Sequence, residues 1–246
     1  MTTLPPKKSD LGVRTLSAVV MLAVAGTALW LGGWWWTVFV AAVALGVLWE
    51  WWGLVLRFEQ RSFNRASWML LGAIYVAISG VELLVLSEGG TDMRGVALVI
   101  SAVIATDVGA YFAGRTIGGP KIAAFISPSK TWSGLCGGIA GASLVVLMST
   151  GFGCHDGLMD LFEGWKSCIS MGLWRLDSFV VVPVGAIVAI IAQTGDFFES
   201  WMKRRAGVKD SGNLIPGHGG LFDRVDGLLA VLFVLGLFML AGRVLG

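Results

Sequence analysis

The chain has 246 residues, of which 56% are hydrophobic and 14% charged, and its mean hydropathy is +0.78. Soluble domains carry roughly 25% charged residues, so the composition excludes an ordinary soluble domain and indicates a protein built inside a bilayer. The formal net charge of +2 gives no support to nucleic-acid binding.

Seven apolar segments are each long enough to cross about 30 Å of hydrocarbon as a helix. The sequence therefore predicts an all-α fold, a polytopic transmembrane helix bundle with about seven spans and cytoplasmic catalytic loops. We expect one membrane unit in two parts, the N-terminal spans at 1–92 and a catalytic part at 93–246. The spans lie approximately at residues 13–32, 34–56, 67–86, 94–114, 133–152, 179–198 and 227–245.

Two details of the spans can be read from local composition. No convincing cleavage site follows the first span, so we expect it to be retained and not removed as a signal peptide. Tryptophans cluster near both ends of the second span, where amphipathic rings favour the headgroup zone, and this predicts an aromatic belt. They are Trp34, Trp35, Trp36, Trp49, Trp51 and Trp52.

The basic residues are distributed unevenly between alternate connections. If the N-terminus is cytoplasmic, fourteen of the 18 Lys and Arg residues lie on the inner side and four on the outer side. The positive-inside rule favours this orientation. We therefore expect a multi-pass protein of the cell inner (plasma) membrane whose N-terminus and connections 115–132 and 199–226 face the cytoplasm.

The longest outer connection, residues 153–178, gives no clear functional signal. It contains His, Asp and Glu residues that could bind a metal, but a solvated loop is the favoured interpretation. Cys154 and Cys168 lie in it and could form a disulfide on the outer side, or remain two free thiols. No CxxC pair is present, which argues against zinc and thioredoxin-like chemistry.

Ionisable groups inside spans are costly and are functional candidates by default. Glu50 and Glu82 are interpreted as structural, since Glu50 lies among interfacial tryptophans. The other acids lie toward the cytoplasmic ends of the fourth, sixth and seventh spans and are Asp107, Asp196, Glu199, Asp223 and Asp226.

Three of these acids are expected at one membrane depth. Asp223 and Asp226 share a helix face, and Asp196 ends the neighbouring span. Converging carboxylates repel unless a cation neutralises them, and Mg²⁺ typically takes one or two carboxylates together with substrate phosphates. The alternative is that Asp223 and Asp226 form ion pairs with Arg224 and Lys209.

Two cytoplasmic stretches combine basic residues with turn formers. Residues 200–226 carry a basic run followed by glycines that permit tight turns and close backbone approach to a ligand. Residues 114–133 again alternate Lys and Arg with Gly and Ser. Backbone N–H groups in such segments can bind phosphates, although no Walker A sequence occurs.

The stretch 200–226 resembles, position for position, the signature of the phosphatidate cytidylyltransferase (CDP-diacylglycerol synthase) family. Segments 107–134 and 195–200 are also similar to that family, which usually has a glutamate where this chain has Ser133. The matching positions are Ser200, Lys203, Arg204, Lys209, Asp210, Gly212, Pro216, His218, Gly219, Gly220, Asp223, Arg224 and Asp226.

The resemblance implies an enzyme that converts phosphatidic acid and CTP to CDP-diacylglycerol and pyrophosphate. It also implies contact with membrane lipids, Mg²⁺ and a possible second cation as cofactors, and a possible homodimer. Asp196 and Asp223 are the implied metal ligands. The implied catalytic residues are Lys203, Arg204, Lys209, Asp210, His218, Arg224 and Asp226. The implied substrate-binding residues are Asp107, Tyr111, Arg115, Lys121, Ser127, Lys130, Thr131, Ser200, Gly219 and Gly220.

Other functions fit less well. A CTP-dependent lipid kinase of the dolichol-kinase sort also uses membrane-embedded acids, and it would release CDP instead of pyrophosphate. A transporter predicts charges near mid-span and an internal repeat, whereas the charges here lie at span ends. A CDP-alcohol phosphatidyltransferase needs a DGxxAR sequence, which does not occur.

Overall fold

The computed structural model describes residues 11–87, 93–152, 174–217 and 219–245. Within these ranges the chain is a bundle of seven α-helices with two isolated bridges in its loops. The helices are α1 (Leu11–Leu31), α2 (Gly33–Phe58), α3 (Ser62–Leu86), α4 (Arg94–Thr116), α5 (Trp132–Phe152), α6 (Trp174–Arg205) and α7 (Phe222–Leu245).

The predicted all-α transmembrane bundle is confirmed. Helices α2 to α7 are long and apolar enough to cross a membrane, and the apolar part of α1, Thr15–Leu31, is shorter. Helices α3, α6 and α7 extend five or more residues beyond the predicted spans, because a helix continues through charged residues after its apolar stretch has ended. Consequently 199–205 lie on α6 and 222–226 on α7, and only residues 206–221 form a connection.

Small residues bring α4 and α5 into close contact. A Cβ atom at Gly109 would overlap the carbonyl oxygen of Gly137, and one at Gly141 would overlap that of Ala105. Lipid chains are as apolar as the helix surfaces, so no hydrophobic effect drives helices together in a bilayer. Close backbone packing at small residues stabilises their association instead. These glycines therefore set the spacing of the two helices.

Glycines also bring α6 and α7 into close contact, beside Asp196 and Asp226. A Cβ atom at Gly195 would lie 2.6 Å from the carbonyl oxygen of Asp226, and one at Gly227 would lie 3.2 Å from that of Ala192. The close approach places Asp196, the neighbour of Gly195, next to the first turn of α7.

An aromatic cluster fills the end of the bundle where α2, α3, α6 and α7 meet. Trp51 is 1% exposed, and its ring packs against those of Trp68, Tyr75, Phe198 and Phe222. Its indole N–H donates a hydrogen bond to the carbonyl oxygen of Trp68 at 3.0 Å. The cluster ties the beginning of α7 to α2 and α3.

The predicted aromatic belt is only partly correct. Four of the six tryptophans are exposed on the bundle surface, as a belt requires, but Trp36 and Trp51 are buried between helices. Hydropathy alone does not distinguish a ring that faces lipid from one that faces a neighbouring helix. The cysteines Cys154 and Cys168 and most of the outer connection at 153–178 lie outside the described residues.

Replacing Gly109 by alanine should destabilise the bundle. The added methyl group meets backbone of α5, and overpacking of this kind costs about 1–3 kcal/mol. We expect a lower thermal midpoint for the detergent-solubilised G109A protein, measured by intrinsic tryptophan fluorescence.

The matched control is Gly53→Ala in α2, where nothing lies within 4 Å of the added Cβ. Because alanine favours helix over glycine, G53A should leave the midpoint unchanged or raise it. Equal midpoints for the two variants would contradict the packing role of Gly109.

Candidate active site

A cleft of about 590 Å³ lies between α4, the α4–α5 connection, α6 and α7. It gathers residues that are more than 100 positions apart in the sequence. Its lining is charged, although four apolar helices frame it. The polar and ionisable residues in the lining are Asp107, Tyr111, Arg115, Ser129, Lys130, Thr131, Gln193, Asp196, Glu199, Lys203, Asp223 and Asp226.

Lys203 joins the two helices that form one wall of the cleft. Its ammonium group lies 2.6 Å from Asp223 Oδ1 on α7 and also pairs with Glu199, one turn earlier on α6. Glu199 is buried. An unpaired carboxylate at this depth would be costly, and the single lysine pairs with acids from both helices.

Asp223 is held by hydrogen bonds as well as by Lys203. Its Oδ2 atom accepts hydrogen bonds from the backbone N–H of Ser211 at 3.0 Å and of Gly220 at 2.9 Å. The Ser211 hydroxyl lies 3.0 Å from the same oxygen. The Gly220 N–H therefore binds a carboxylate of the protein itself, and the loop is anchored to α7.

Glu50 of α2 fixes the start of α7. Its carboxylate accepts hydrogen bonds from the N–H groups of Leu221 at 2.9 Å and Phe222 at 2.8 Å, and it lies 2.9 Å from the Ser211 hydroxyl. The first N–H groups of a helix have no partner within the helix, and a negative charge there is favourable. A side chain 3% exposed thus caps a helix that begins 172 residues later.

The glycines of the loop are needed for this arrangement. A Cβ atom at Gly220 would lie 2.6 Å from Glu50 Oε2, and one at Gly212 would overlap Glu50 Oε1. At Gly219, φ is +86°, which side chains rarely adopt. These glycines make room for the anchoring acids and the turn.

The α4–α5 connection delivers Lys130 to the cleft. Lys130 pairs with Asp196 of α6, and the adjacent Thr131 caps α5 by accepting a hydrogen bond from the N–H of Gly134 at 3.1 Å. Ser133 donates its hydroxyl to the carbonyl oxygen of Gly118. Ser133, which replaces the glutamate expected from the resemblance, therefore closes the loop.

Helix α4 supplies the opposite wall. Asp107, Tyr111 and Arg115 follow each other at intervals of four residues and so share one face. Arg115 donates a hydrogen bond to the Tyr111 hydroxyl at 2.8 Å. The guanidinium group is thereby held over the cleft beside a phenol ring.

Nine of the site residues predicted from the sequence line the cleft in the structure. They are Asp107, Tyr111, Arg115, Lys130, Thr131, Asp196, Lys203, Asp223 and Asp226. Ser200 lies just behind, with its hydroxyl 3.4 Å from Asp196 Oδ1. Gly220 donates a backbone hydrogen bond to Asp223, and a Cβ atom at Gly219 would lie 3.3 Å from Asp223 Oδ2.

Six other predicted residues do not belong to this lining. Arg204, Lys209, Asp210 and Lys121 are exposed, and Ser127 is buried with its hydroxyl 3.5 Å from that of Ser129. Arg224 lies along a separate apolar groove between α1, α2, α3 and α7. The side chain of His218 lies outside the described residues.

Three residues of the site were not assigned from sequence. The sequence marks Glu199 as an intramembrane acid without giving it a role, and the tryptophans beside Glu50 favour a structural interpretation of that acid. Nothing in the local sequence singles out Gln193. The signal that could have found Glu199 and Gln193 is their spacing, because both lie on the α6 face defined by Asp196 and Lys203.

The charge balance of the cleft suits a divalent cation. Five acids and three basic residues line it, which leaves two negative charges when all are ionised. Among the residues that the structure describes, no group of three or more His, Cys, Asp or Glu is arranged to hold a metal. A Mg²⁺ site typically takes one or two carboxylates together with substrate phosphates and water, and Asp196 and Asp223 both line the cleft.

Comparison with known proteins gives two kinds of match. The profile of the cytidylyltransferase family matches residues 52–241. Proteins named phosphatidate cytidylyltransferase from Brucella suis biovar 1 and Rickettsia bellii are 31% and 32% identical to this chain, over 94% and 95% of its length and 93% and 94% of theirs. A third, from Rickettsia felis, is 30% identical over 90% of this chain and 89% of its own.

Replacing Glu50 by alanine should weaken the fold at the site. The change leaves the N–H groups of Leu221 and Phe222 without their acceptor, and each buried unsatisfied donor costs about 1–3 kcal/mol. We expect a clearly lower thermal midpoint for E50A in detergent. Glu59→Ala, at the end of the same helix, is the control and should shift the midpoint far less.

Proposed function

Since the chain belongs to the cytidylyltransferase family, we propose that it joins CTP to phosphatidic acid and releases CDP-diacylglycerol and pyrophosphate. The observation that carries the proposal is the cleft itself. Lys130, Asp196, Lys203 and Asp223 come from three separated parts of the chain and meet in it. Paired acids and cations at the end of a membrane bundle are suited to a reaction between a lipid phosphate and a nucleotide.

The lipid phosphate oxygen attacks the α-phosphorus of CTP, and pyrophosphate leaves in line. Catalysis of such a transfer depends on positioning and on stabilising charge at the phosphoryl group. Lys130, Lys203 and Arg115 are the basic side chains in the cleft, and we assign them to the phosphates. Each lysine is already held by a carboxylate, so it is positioned before the substrates bind.

The proposal gives the exposed basic residues a different role from those in the cleft. Arg204 and Lys209 are exposed and follow Lys203 closely in the chain, and we assign them to attracting the polyphosphate of CTP from the cytoplasm. A Cβ atom at Gly219 would lie 3.4 Å from Asp210 Cβ, and we assign Asp210 to holding the loop and His218 to the leaving group. Tyr111 and Thr131 line the pocket, and Ser200 supports its wall beside Asp196. Lys121 and Ser127 support the connection that carries Lys130.

Bound Mg²⁺ would neutralise charge on the phosphates, and Asp196 and Asp223 would hold it. Lys130 and Lys203, which pair with these carboxylates, would then be available to bind substrate phosphates. Asp107 and Asp226 also line the cleft, and we assign a possible second cation to them.

The protein works as a multi-pass enzyme of the bacterial plasma membrane in this proposal. The cleft lies at the end of the bundle where α2 and α3 connect, since Arg205 of α6 packs over the ring of Phe58 there. This end carries most of the Lys and Arg residues and so faces the cytoplasm. CTP then enters from the cytoplasm, and phosphatidic acid enters between the helices. We also propose a homodimer.

A direct assay tests the activity. Purified protein in detergent, given α-labelled CTP, phosphatidic acid and Mg²⁺, should form labelled lipid and release one pyrophosphate per lipid. Lys203→Met should lower kcat/KM on the order of 100-fold or more, because it removes a phosphate-binding charge in a low-dielectric site. Arg61→Gln, an exposed cation at the α2–α3 turn, serves as the control.

Product analysis separates this activity from that of a CTP-dependent lipid kinase. Release of CDP in place of pyrophosphate would refute the proposed reaction, and full activity of K203M would refute the phosphate-binding role of Lys203.

Removal of divalent cations tests the metal assignment separately. EDTA should abolish turnover and added Mg²⁺ should restore it. Asp196→Asn should raise the Mg²⁺ concentration needed for half-maximal rate on the order of tenfold or more, because a neutral amide binds Mg²⁺ more weakly than a carboxylate. An unchanged Mg²⁺ requirement in D196N would remove this residue from the metal site.

A further inference from the structure

Gln193 is a buried amide without a hydrogen-bond partner in the described part of the chain. It lies on α6, lines the cleft and is 3% exposed, and neither its Oε1 nor its Nε2 atom has a partner there. Buried side-chain amides are normally hydrogen-bonded, and leaving one unsatisfied costs free energy. An amide kept in this state on the wall of a substrate cleft indicates a partner that binds there.

The neighbours of Gln193 leave the amide available to the cleft. A Cβ atom at Gly138 of α5 would lie 3.1 Å from Gln193 Nε2 and 3.1 Å from Thr106 Cγ2. Gly138 therefore provides the space in which the amide lies. The Thr106 hydroxyl donates its proton to the carbonyl oxygen of Ala102 at 2.9 Å.

The depth of Gln193 restricts which substrate group could reach it. Lys203, Glu199, Asp196 and Gln193 follow each other along one face of α6. At a rise of 1.5 Å per residue, Gln193 lies about 4.5 Å further into the bundle than Asp196 and about 15 Å further than Lys203. The charged residues of α6 that bind phosphate and metal thus lie on the cytoplasmic side of an uncharged amide.

Phosphatidic acid has groups that match this order. Its ester carbonyls lie directly on the bilayer side of its phosphate, and each is a hydrogen-bond acceptor. We propose that Gln193 Nε2 donates a hydrogen bond to an ester carbonyl of phosphatidic acid and thereby sets the depth of the lipid phosphate. This inference deepens the proposed function and rests on it.

The binding role predicts an unusual effect on stability. Gln193→Met keeps the approximate shape of the side chain and removes an unsatisfied buried amide. Such a replacement is neutral or stabilising when the group has no partner in the folded protein. The thermal midpoint of Q193M without substrate should equal or exceed that of the wild type, whereas a structural glutamine would lower it.

The same variant should alter lipid recognition specifically. In mixed micelles, wild-type kcat/KM should be on the order of tenfold higher for diacyl than for dialkyl phosphatidic acid, because an ether oxygen is a poorer acceptor than a carbonyl. Q193M should lower the diacyl value to near the dialkyl value and leave the KM for CTP within about twofold. Thr194→Val, whose hydroxyl donates to Ile190, is the control on the adjacent position and should retain the preference.

The possible failures are distinguishable. A wild-type protein that makes no labelled lipid would refute the proposed function and this inference together. An active wild type would refute the inference alone in any of three cases: if Q193M retained the diacyl preference, if its KM for CTP rose instead, or if it lost stability and both lipid activities in parallel.

Discussion

One buried carboxylate, Glu50, determines where α7 begins, and the rest of the site depends on that position. It accepts hydrogen bonds from two N–H groups at the start of α7, and Ser211 lies within hydrogen-bond distance of both Glu50 and Asp223. A shift of this helix would move Asp223 away from Lys203 and Asp226 away from Asp196. An acid that never enters the cleft therefore holds in place the acids that do.

Close helix packing provides the second constraint. Glycines between α4 and α5, and between α6 and α7, allow backbones to approach more closely than side chains would permit. The cleft remains open between these two tight pairs, where long charged side chains project from α4, α6 and α7. The bundle thus separates the residues that hold helices together from the residues that line the cleft, although both kinds occur on the same helices.

Much of this organisation could be predicted from the sequence. Apolar length predicted the bundle, and intramembrane acids indicated α4, α6 and α7 as the carriers of the site. What could not be predicted were contacts between distant segments. Nothing local to Glu50 shows that it caps a helix 172 residues later, and the signature arginine Arg224 lies along a different groove from its neighbour Asp223. Consecutive residues of a helix point about 100° apart, so Asp223 and Arg224 face different sides of α7. Which side each one faces depends on how α7 is oriented against its neighbours.

The arrangement of Gln193, Asp196, Glu199 and Lys203 on one stripe of α6 has a consequence for chain length. Each added residue turns a helix by about 100°, so an insertion or deletion between positions 193 and 203 would rotate part of the stripe away from α7. A substitution changes the contacts of one residue, whereas an insertion or deletion of one residue would displace several residues of the stripe at once. Natural variation in length should therefore be confined to the connections, and α6 should keep a constant register.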